Sequence, residues 1–481
     1  MEKPSYGDRD PIAAPATPLA ESALALIRLS GGGTIELLAG VFSRPLKIIS
    51  APGNSIVHGW IVNPESSEKI DEVMVSVYRA PRSYSGEDGA DISCHGGIAA
   101  VKAVMAVLKK AGFREALPGE FTFRAFMNGK LDLTRAESVM ELVSAKTNRG
   151  REQAVRRLTG ALEREISEIK ALLVEVLAGT EIYLDYSEDE FLDPENDEEA
   201  GRLPSRNLAE QAAERLRLLS DLWRRERIYT DGALAVFAGR PNAGKSSLFN
   251  YLIREDRSIV TDTPGTTRDW IEALISIEDI PLRIADTAGL RDISLMEGNE
   301  AERIGMQRSL ELLDKADLVL YVIDGTAGIT EEDRNFILSR KEAAPGKPLL
   351  LLWNKTDLAP PSLTDETAFP GPLLALSAKT GEGIQKLTGS MVKLLETVSS
   401  GSRSELAGTD APGPGTSRQK ELIDSALGSV EEALALARTG EPLDIIAPLF
   451  RSSVNALGEI TGEVSNADIL ETMFSRFCVG K

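Results

Sequence analysis

Between residues 231 and 397, short runs of consecutive apolar residues alternate with stretches of helical length. Such runs are typical of strands buried on both faces, and the stretches between them are typical of helices that cover a sheet. We predict strands at residues 233–238, 270–277, 281–285, 317–323, 349–353 and 373–376. We predict helices after Lys245 and at residues 300–314, 330–341 and 383–398. The alternation of the two elements predicts a nucleotide-binding α/β domain.

On both sides of this domain, apolar residues recur at every third or fourth position. This spacing places apolar side chains on one face of a helix, and that face must pack on other helices. The repeat covers residues 155–176, 208–225, 422–437 and 443–457, with a Gly/Pro/Ser-rich linker at residues 399–417. We expect one discontinuous helical bundle into which the α/β domain is inserted. Two separate small bundles are the alternative.

The first 130 residues combine strand-like and helix-like patterns. We predict strands at residues 23–29, 55–62 and 71–79, and a helix at residues 97–110. These elements predict a mixed α+β domain. The predicted domain boundaries are residues 1–130 for this domain, 131–230 for a first helical part, 231–398 for the α/β domain and 399–481 for the linker and a second helical part.

Composition narrows the class of protein. A chain of 481 residues that is 42% hydrophobic and 27% charged is typical of globular proteins. No apolar run approaches the roughly 20 residues that cross a bilayer, and the N-terminus has no apolar signal core, so we expect a cytoplasmic protein without a membrane anchor. Two cysteines and two histidines argue against a disulfide framework or a zinc site.

The net charge of −20 predicts that most of the surface repels nucleic acid. Any RNA contact must then be local or be supplied by a partner. Part of the acid excess lies in residues 185–199. This segment is either a solvated loop between helices or an acidic docking segment.

Residues 239–246 read GRPNAGKS and directly follow a predicted strand. Two glycines in such a loop allow the backbone N–H groups to surround a phosphate, and the following helix presents its positive end. Lys245 can reach the terminal phosphates, and the Ser246 hydroxyl can bind Mg²⁺. Asp286 in the DTAG sequence at residues 286–289 can reach the Mg²⁺ shell, while the Gly289 amide can face the γ-phosphate.

Two more motifs follow predicted strands, NKTD at residues 354–357 and SAK at residues 377–379. The Asp357 carboxylate can accept hydrogen bonds from both N1–H and N2–H of guanine, whereas adenine offers the wrong donors. Four motifs in this order predict a Ras-like P-loop GTPase domain that uses GTP and Mg²⁺. The full fold prediction is therefore a multidomain α/β and α+β protein, with a discontinuous helical bundle and an inserted GTPase domain.

Residues 261–269 form the predicted first switch. Thr267 is placed to bind Mg²⁺ in the GTP state and to release it after hydrolysis. The segment from Thr261 to Thr266 can add carbonyl oxygens around a monovalent cation. The side-chain oxygen of Asn242 is a candidate ligand for the same cation, and a loop-packing role for Asn242 is the alternative. Such a cation would supply the charge of an arginine finger.

The predicted nucleotide and cation site draws on the phosphate loop, the first switch and the three later motifs. It comprises Asn242, Ala243, Gly244, Lys245, Ser246, Ser247, Thr261, Asp262, Thr263, Pro264, Gly265, Thr266, Thr267, Asp286, Thr287, Ala288, Gly289, Asn354, Lys355, Asp357, Ser377, Ala378 and Lys379.

Leu290 occupies the position where signalling GTPases carry a glutamine that orients the attacking water. Leucine forms no hydrogen bond, so another group must position the water. Glu302, a short distance downstream, is a candidate general base that acts through a bridging water. An ordinary carboxylate on a helix surface is the alternative reading of Glu302.

With these motifs the chain resembles the bacterial tRNA-modification GTPase family called MnmE or TrmE. The resemblance rests on GRPNAGKSSL, the DxxGTTRD pattern, DTAGLR and ERIG in the GTPase segment. It also rests on IRLSG at residues 27–31, YSGED at 84–88, CHGG at 94–97, PGEFT at 118–122, RAFMNGKLD at 124–132 and the FCVGK terminus. It covers nearly the whole chain.

The resemblance implies an N-terminal domain that dimerises and binds a 5-formyltetrahydrofolate-type folate. The implied folate contacts are Arg28, Lys130 and Lys481, with Asp91 where the family usually has glutamate. It also implies K⁺-stimulated hydrolysis, with the K⁺ ligands Asn242, Thr261, Thr263 and Thr266. A flavin-dependent (FAD) partner protein is implied as well. Together the two proteins would install a (carboxymethyl)aminomethyl group at C5 of the wobble uridine of certain tRNAs.

Cys478 has several interpretations. A frayed terminus is the general expectation, and the residues that follow do not fit a prenylation signal. The resemblance implies a tail that docks near the folate site, where Cys478 is a candidate catalytic thiol.

Two other functions fit parts of the sequence. A ribosome-assembly or RNA-binding GTPase without covalent chemistry is the main alternative, although no basic cluster follows residue 398. The other is a folate-dependent one-carbon transferase acting on a small molecule, with the GTPase purely regulatory.

Overall fold

The computed structural model describes residues 6, 10–185, 203–255, 272–286, 310–344, 346–361, 373–400, 412–464 and 467–480. The chain forms two compact units. Unit 1 comprises Met1–Met140, Arg157–Glu214 and Glu421–Lys481, and unit 2 comprises Glu141–Arg156 and Arg215–Lys420. No described helix is both long and apolar enough to cross a membrane.

The strands are β1 (Ile12–Pro15), β2 (Ser22–Ser30), β3 (Ser55–Val62), β4 (Lys69–Tyr78), β5 (Gly89–Gly96), β6 (Arg114–Glu115), β7 (Ala233–Gly239), β8 (Glu272–Ile277), β9 (Ile280–Asp286), β10 (Leu318–Asp324), β11 (Leu349–Asn354) and β12 (Leu373–Ala375). The helices are α1 (Thr34–Gly40), α2 (Pro45–Ile49), α3 (Ile98–Ala111), α4 (Glu120–Met127), α5 (Leu133–Ser144), α6 (Asn148–Leu158), α7 (Ala161–Asp185), α8 (Arg206–Thr230), α9 (Lys245–Glu255), α10 (Glu331–Ala343), α11 (Ile384–Ser400), α12 (Ser417–Thr439), α13 (Leu443–Thr461) and α14 (Ala467–Phe474).

Unit 1 contains a sheet in the order β3-β4-β5-β2-β1-β6, antiparallel except for the β1–β6 pair. Successive side chains of a strand point to opposite faces. One face carries Ile27, Val75 and Ile92, which are buried with residues of α1 and α3. The opposite face carries Arg28 and Asp91, which lie directly across from each other on β2 and β5.

The helices of unit 1 include α7 and α13, which pack against each other. The side chains of Ile166, Ile169, Leu173 and Val176 on α7 are fully buried, as the apolar repeat predicts. The Ser453 hydroxyl on α13 donates to the Ala426 carbonyl on α12. Helical segments from both flanks of the α/β domain thus lie in unit 1, and the single discontinuous bundle stays a prediction.

The prediction that the repeat at residues 155–176 forms one continuous helix is wrong. The helix breaks between Leu158 and Ala161 because Gly160 adopts a left-handed conformation with φ +84°. The boundary between the two units lies within α6, before the break, because residues up to Arg156 belong to unit 2 and residues from Arg157 belong to unit 1. Val155, which the repeat placed on the buried face, is exposed.

Unit 2 contains a sheet in the order β12-β11-β10-β7-β9-β8, parallel except for β8. Apolar side chains fill both faces of β7, β10 and β11, which explains why these strands read as continuous apolar runs. The strand order reverses at β7, which lies between β10 and β9. Ligands bind at such a reversal, beyond the carboxyl ends of the strands. The Ras-like fold predicted from the motifs is therefore confirmed.

Candidate functional site

The loop between β7 and α9 has the backbone geometry of a phosphate cradle. Gly239 has φ +137°, and a Cβ atom there would lie 2.3 Å from the Val322 carbonyl oxygen. Gly244 has φ +98°, and a Cβ atom there would lie 2.1 Å from Asn354 Nδ2. Asn242 is also left-handed at φ +62°, a conformation that asparagine tolerates better than most residues. Glycine is therefore required at positions 239 and 244, because any side chain there would collide with neighbouring atoms.

Lys245 lies at the first position of α9, and its side chain is buried. Its Nζ donates to the carbonyl oxygens of Gly239 at 2.9 Å and Arg240 at 2.8 Å. The ammonium group is thereby held across the loop. A phosphate oxygen would be a stronger acceptor than these carbonyls, because hydrogen bonds between charged partners are about twice as strong as neutral ones.

Ser246 and Asp286 bring two oxygen groups together next to this loop. The Ser246 hydroxyl donates to Asp286 Oδ2 at 2.7 Å, and the Asp286 side chain is buried. Mg²⁺ binds hard oxygen ligands, and in nucleotide sites it takes one or two protein ligands together with phosphates and water. The pair fits Mg²⁺ in that mode. Among the described residues, no group of three or more His, Cys, Asp or Glu side chains forms a metal site.

The base-recognition motifs are connected to the phosphate loop by hydrogen bonds. The buried Asn354 donates from Nδ2 to the Ala243 carbonyl at 2.8 Å, and its Oδ1 accepts from the Ala378 amide at 3.0 Å. The Ser377 hydroxyl donates to Asp357 Oδ1 at 2.7 Å. This bond fixes the orientation of the Asp357 carboxylate through one of its two oxygens. Asp357 itself is exposed.

A cavity of about 820 Å³ lies between these loops. Helix α9 forms one wall with Ser247, Tyr251 and Arg254, and the two base-recognition motifs line the opposite side. Gly244 of the phosphate loop and Asp357 both line this cavity. Sequence reasoning did not single out Tyr251 or Arg254, since neither belongs to a motif.

Several predicted site residues lie outside the described part of the chain. They are Thr261, Asp262, Thr263, Pro264, Gly265, Thr266 and Thr267 of the first switch, Thr287, Ala288 and Gly289 of the DTAG sequence, Leu290 and Glu302 downstream of it, and the terminal Lys481. Most of the predicted helix at residues 300–314 also lies outside, although residues 310–315 are helical.

A second, smaller cavity of about 180 Å³ lies on unit 1 beside Arg28 and Asp91. Arg28 Nε donates to Asp91 Oδ1 at 3.1 Å, and the Arg28 guanidinium lies 5.3 Å from the centre of the Tyr84 ring. The structure therefore brings together two of the four predicted folate contacts. The ion pair engages Nε of the guanidinium and one of the two Asp91 carboxylate oxygens.

Polar side chains at this cavity form hydrogen bonds with one another and with neighbouring charged residues. The hydroxyl groups of Ser30 and Ser85 lie 2.6 Å apart, and Ser30 also donates to Glu87 Oε2 at 2.9 Å. Arg124 Nη1 donates to the same Glu87 oxygen at 3.2 Å. The YSGED sequence that carries Ser85 and Glu87 was noted from the sequence only as part of a motif, without a role for either residue.

The C-terminal tail lies beside the cavity. The Gly480 carbonyl accepts a hydrogen bond from Arg28 Nη1 at 3.4 Å, and the Cys478 carbonyl accepts one from the Gly119 amide at 3.3 Å. The tail is held by Phe474 and Phe477, which are buried against α4 and α5. The expectation of a frayed terminus is therefore wrong for residues 474–480.

The two cysteines differ in accessibility. Cys478 is exposed, whereas Cys94 is buried on β5. Burial, together with the nearby negative charge of Asp71, raises the pKa of the Cys94 thiol to about 11. Cys94 therefore carries almost no thiolate at neutral pH, and Cys478 is the thiol available for chemistry.

Lys130 lies near this region without lining the cavity. Its Nζ donates to the Pro81 carbonyl at 2.9 Å, in the loop that leads to Tyr84 and Ser85. Its contact here is therefore with the loop, and a direct contact with folate stays a prediction.

Comparison with known proteins covers both units. A profile described as "GTP-binding protein TrmE N-terminus" matches residues 11–130, and one described as "MnmE helical domain" matches residues 133–478. The protein named tRNA modification GTPase MnmE from Treponema denticola is 40% identical over the full length of both chains. The protein of the same name from Carboxydothermus hydrogenoformans is 38% identical and covers 98% of this chain and 99% of its own. The one from Borreliella burgdorferi is 39% identical and covers 98% of both chains.

One solved structure matches the α/β domain. The G domain of the T. maritima FeoB iron transporter is 26% identical, covers 34% of this chain and 98% of its own, and has a TM-score of 0.25. That score is too low to add to the fold argument. The family is shown by the two profile matches and by the relatives that match over the whole chain. This chain belongs to the MnmE (TrmE) family.

Proposed function

We propose that this protein is a GTP-hydrolysing enzyme of tRNA modification that acts in the cytoplasm. The observation that carries the proposal is the connected site in unit 2, where Asn354 links the phosphate loop to the base loop and Ser377 orients Asp357. This site binds guanine nucleotides and Mg²⁺. The relatives that match the whole chain are named tRNA modification GTPases, and this supports tRNA as the substrate.

The modification is the (carboxymethyl)aminomethyl group at C5 of the wobble uridine. It is installed with a flavin-dependent partner protein and a tetrahydrofolate one-carbon donor. The cavity beside Arg28 and Asp91 supports the folate part, because an arginine can pair with the carboxylates of a folate and a carboxylate can accept from its pterin amine. Folate binding there would count against a ribosome-assembly GTPase.

Deletion of the gene tests this function. Mass spectrometry of nucleosides from total tRNA should show the loss of a C5-aminomethyl-type uridine, and the wild-type gene should restore it. An unchanged nucleoside profile would reject the modification role and favour the ribosome-assembly reading.

Arg28→Ala should weaken binding of 5-formyltetrahydrofolate by about tenfold to a hundredfold, since hydrogen bonds to charged groups contribute about 1.5–3 kcal/mol. Isothermal titration with the full-length protein measures the change. Lys102→Ala, an exposed change on α3, is the control and should bind like the wild type. Equal affinity of the Arg28 variant and the wild type would remove the folate site from this cavity.

The N-terminal domain also carries the proposed homodimer contact. The sheet face opposite α1 and α3 presents the exposed apolar side chains of Leu24, Ile56 and Met74. An exposed apolar surface of this kind is typical of protein–protein contact. Because Arg28 and Asp91 lie on the same face, a partner subunit there would stand close to the folate cavity.

Hydrolysis should depend on a monovalent cation. We assign the cation to Asn242, Thr261, Thr263 and Thr266, and we assign the general-base role to Glu302 acting through water. A K⁺ ion at the phosphates would offset the charge that develops in the transition state. GTP turnover should therefore be at least about tenfold faster in K⁺ than in Na⁺ at equal ionic strength. Equal rates in the two salts would contradict the cation site.

A further inference from the structure

We propose that Tyr251 is a positioning residue for guanine recognition, acting through the loop at residues 377–383. The inference rests on the proposed GTP-binding function and adds a residue that determines how strictly the site selects guanine. Tyr251 lies on α9, the helix that begins at the phosphate-binding Lys245, and its half-buried side chain forms part of the cavity wall.

The phenol of Tyr251 fills the space beside Gly381. A Cβ atom at Gly381 would lie 2.2 Å from Tyr251 Oη and 2.9 Å from its Cζ atom. Contacts that short cannot form, so the hydroxyl end of Tyr251 occupies the volume that any side chain at position 381 would need. Gly381 also has φ +83°, which glycine adopts without strain. The aromatic ring and the loop backbone are thus directly apposed.

The loop transmits this contact to the groups that recognise the base. The Gly381 amide donates to the Ser377 carbonyl at 2.9 Å, and the Thr380 amide donates to Ser377 Oγ at 3.3 Å. The same Ser377 Oγ donates to Asp357 Oδ1 at 2.7 Å. A shift of Gly381 therefore shifts Ser377 and, through it, the Asp357 carboxylate.

The loop has a second connection, which holds its other end. The Ala378 amide donates to Asn354 Oδ1, and Asn354 in turn donates to the Ala243 carbonyl of the phosphate loop. Tyr251 supplies an independent support from α9 at Gly381. The loop is therefore held at two residues, Ala378 and Gly381. Asn354 connects the first to the phosphate loop, and Tyr251 connects the second to α9.

The chemistry of the base predicts which property depends on this support. Guanine differs from hypoxanthine only by its 2-amino group, which donates to Asp357. A displaced carboxylate loses part of this second hydrogen bond but keeps the phosphate contacts that both nucleotides share. Loss of Tyr251 should therefore lower the preference for guanine more than it lowers nucleotide binding in general.

The test compares the affinities of the full-length protein for GDP and for IDP in the presence of Mg²⁺. Tyr251→Ala should lower the ratio of the two affinities by about tenfold while changing the IDP affinity less than about threefold. Tyr251→Phe, which keeps the ring against Gly381, should retain most of the ratio. Lys386→Ala, an exposed change on α11 that does not line the cavity, is the control and should leave the ratio at the wild-type value.

An equal loss of GDP and IDP affinity in Tyr251→Ala, with the ratio unchanged, would overturn the positioning role and leave a general structural one. The failure of the proposed function would appear differently. A wild-type protein without preference for GDP over IDP would reject the guanine site itself, before any variant is compared.

Discussion

Replacing Asp357 by asparagine should lower the affinity for GDP by about a hundredfold or more. The carboxylate can accept hydrogen bonds from both N1–H and N2–H of guanine, and each charge-assisted bond contributes about 1.5–3 kcal/mol. An amide offers one acceptor and one donor, so it clashes with one of the two guanine donors. The Ser377 hydroxyl, which now donates to Asp357 Oδ1, would still orient the asparagine.

The same change should invert the choice of base. Xanthine carries a carbonyl oxygen where guanine carries the 2-amino group, and an asparagine N–H₂ can donate to that oxygen. Titration with GDP and XDP should therefore show weaker binding of the first and stronger binding of the second. Glu342→Gln makes the same chemical change at an exposed position of α10 and should alter neither affinity. An Asp357→Asn variant that kept wild-type affinity for GDP would place the base elsewhere.

Replacing Ser246 by alanine should lower GTP turnover by about a hundredfold and raise the Mg²⁺ concentration needed for half-maximal activity. The hydroxyl lies 2.7 Å from Asp286 Oδ2, and among the described residues these two oxygens contribute to the proposed Mg²⁺ site. Mg²⁺ neutralises charge that develops on the transferred phosphoryl group, so its loss raises the barrier directly.

Ser246→Thr separates this role from a structural one. Threonine keeps the hydroxyl group at the same position, and turnover with Mg²⁺ should stay within a few-fold of the wild type. Steady-state GTPase rates across a Mg²⁺ titration measure both variants. If the alanine variant kept the wild-type rate and the wild-type Mg²⁺ dependence, Ser246 would not be a metal ligand.

The strands of unit 2 could be predicted from the sequence to within about two residues because their burial is extreme. Apolar side chains cover both faces of β7, β10 and β11, so the strands read as uninterrupted apolar runs. The phosphate loop was equally predictable. Only glycine fits at positions 239 and 244, and these are the two glycines of the GRPNAGKS motif.

Elements that bury small, polar or charged residues could not be predicted in this way, because they lack a run of large apolar residues. Strand β5 buries Ala90, Ile92 and Cys94, but small and polar residues weaken the apolar signal. Helix α4 buries Glu120 and Arg124, which form an ion pair at 2.8 Å one turn apart. From the sequence alone, a charged pair at this spacing predicts an exposed helix surface.

The unit 1 cavity depends on contacts between distant parts of the chain. Arg28 and Asp91 meet through the register of β2 and β5, 63 residues apart in the chain. Arg28 and Gly480 are separated by 452 residues. No local pattern predicts either contact, and the two residues Arg28 and Asp91 were identified only through the family resemblance. The glycine break at Gly160 was visible in the sequence, but the apolar repeat continued through it.

The most direct test of the account is complementation of a strain that lacks the gene, followed by mass spectrometry of tRNA nucleosides. The wild-type gene and Ser246→Thr should both restore the C5-aminomethyl-type uridine. Ser246→Ala, expressed at the same level, should leave it depleted. Full restoration by Ser246→Ala, despite its loss of GTP turnover in vitro, would contradict the claim that GTP hydrolysis at this site drives the modification.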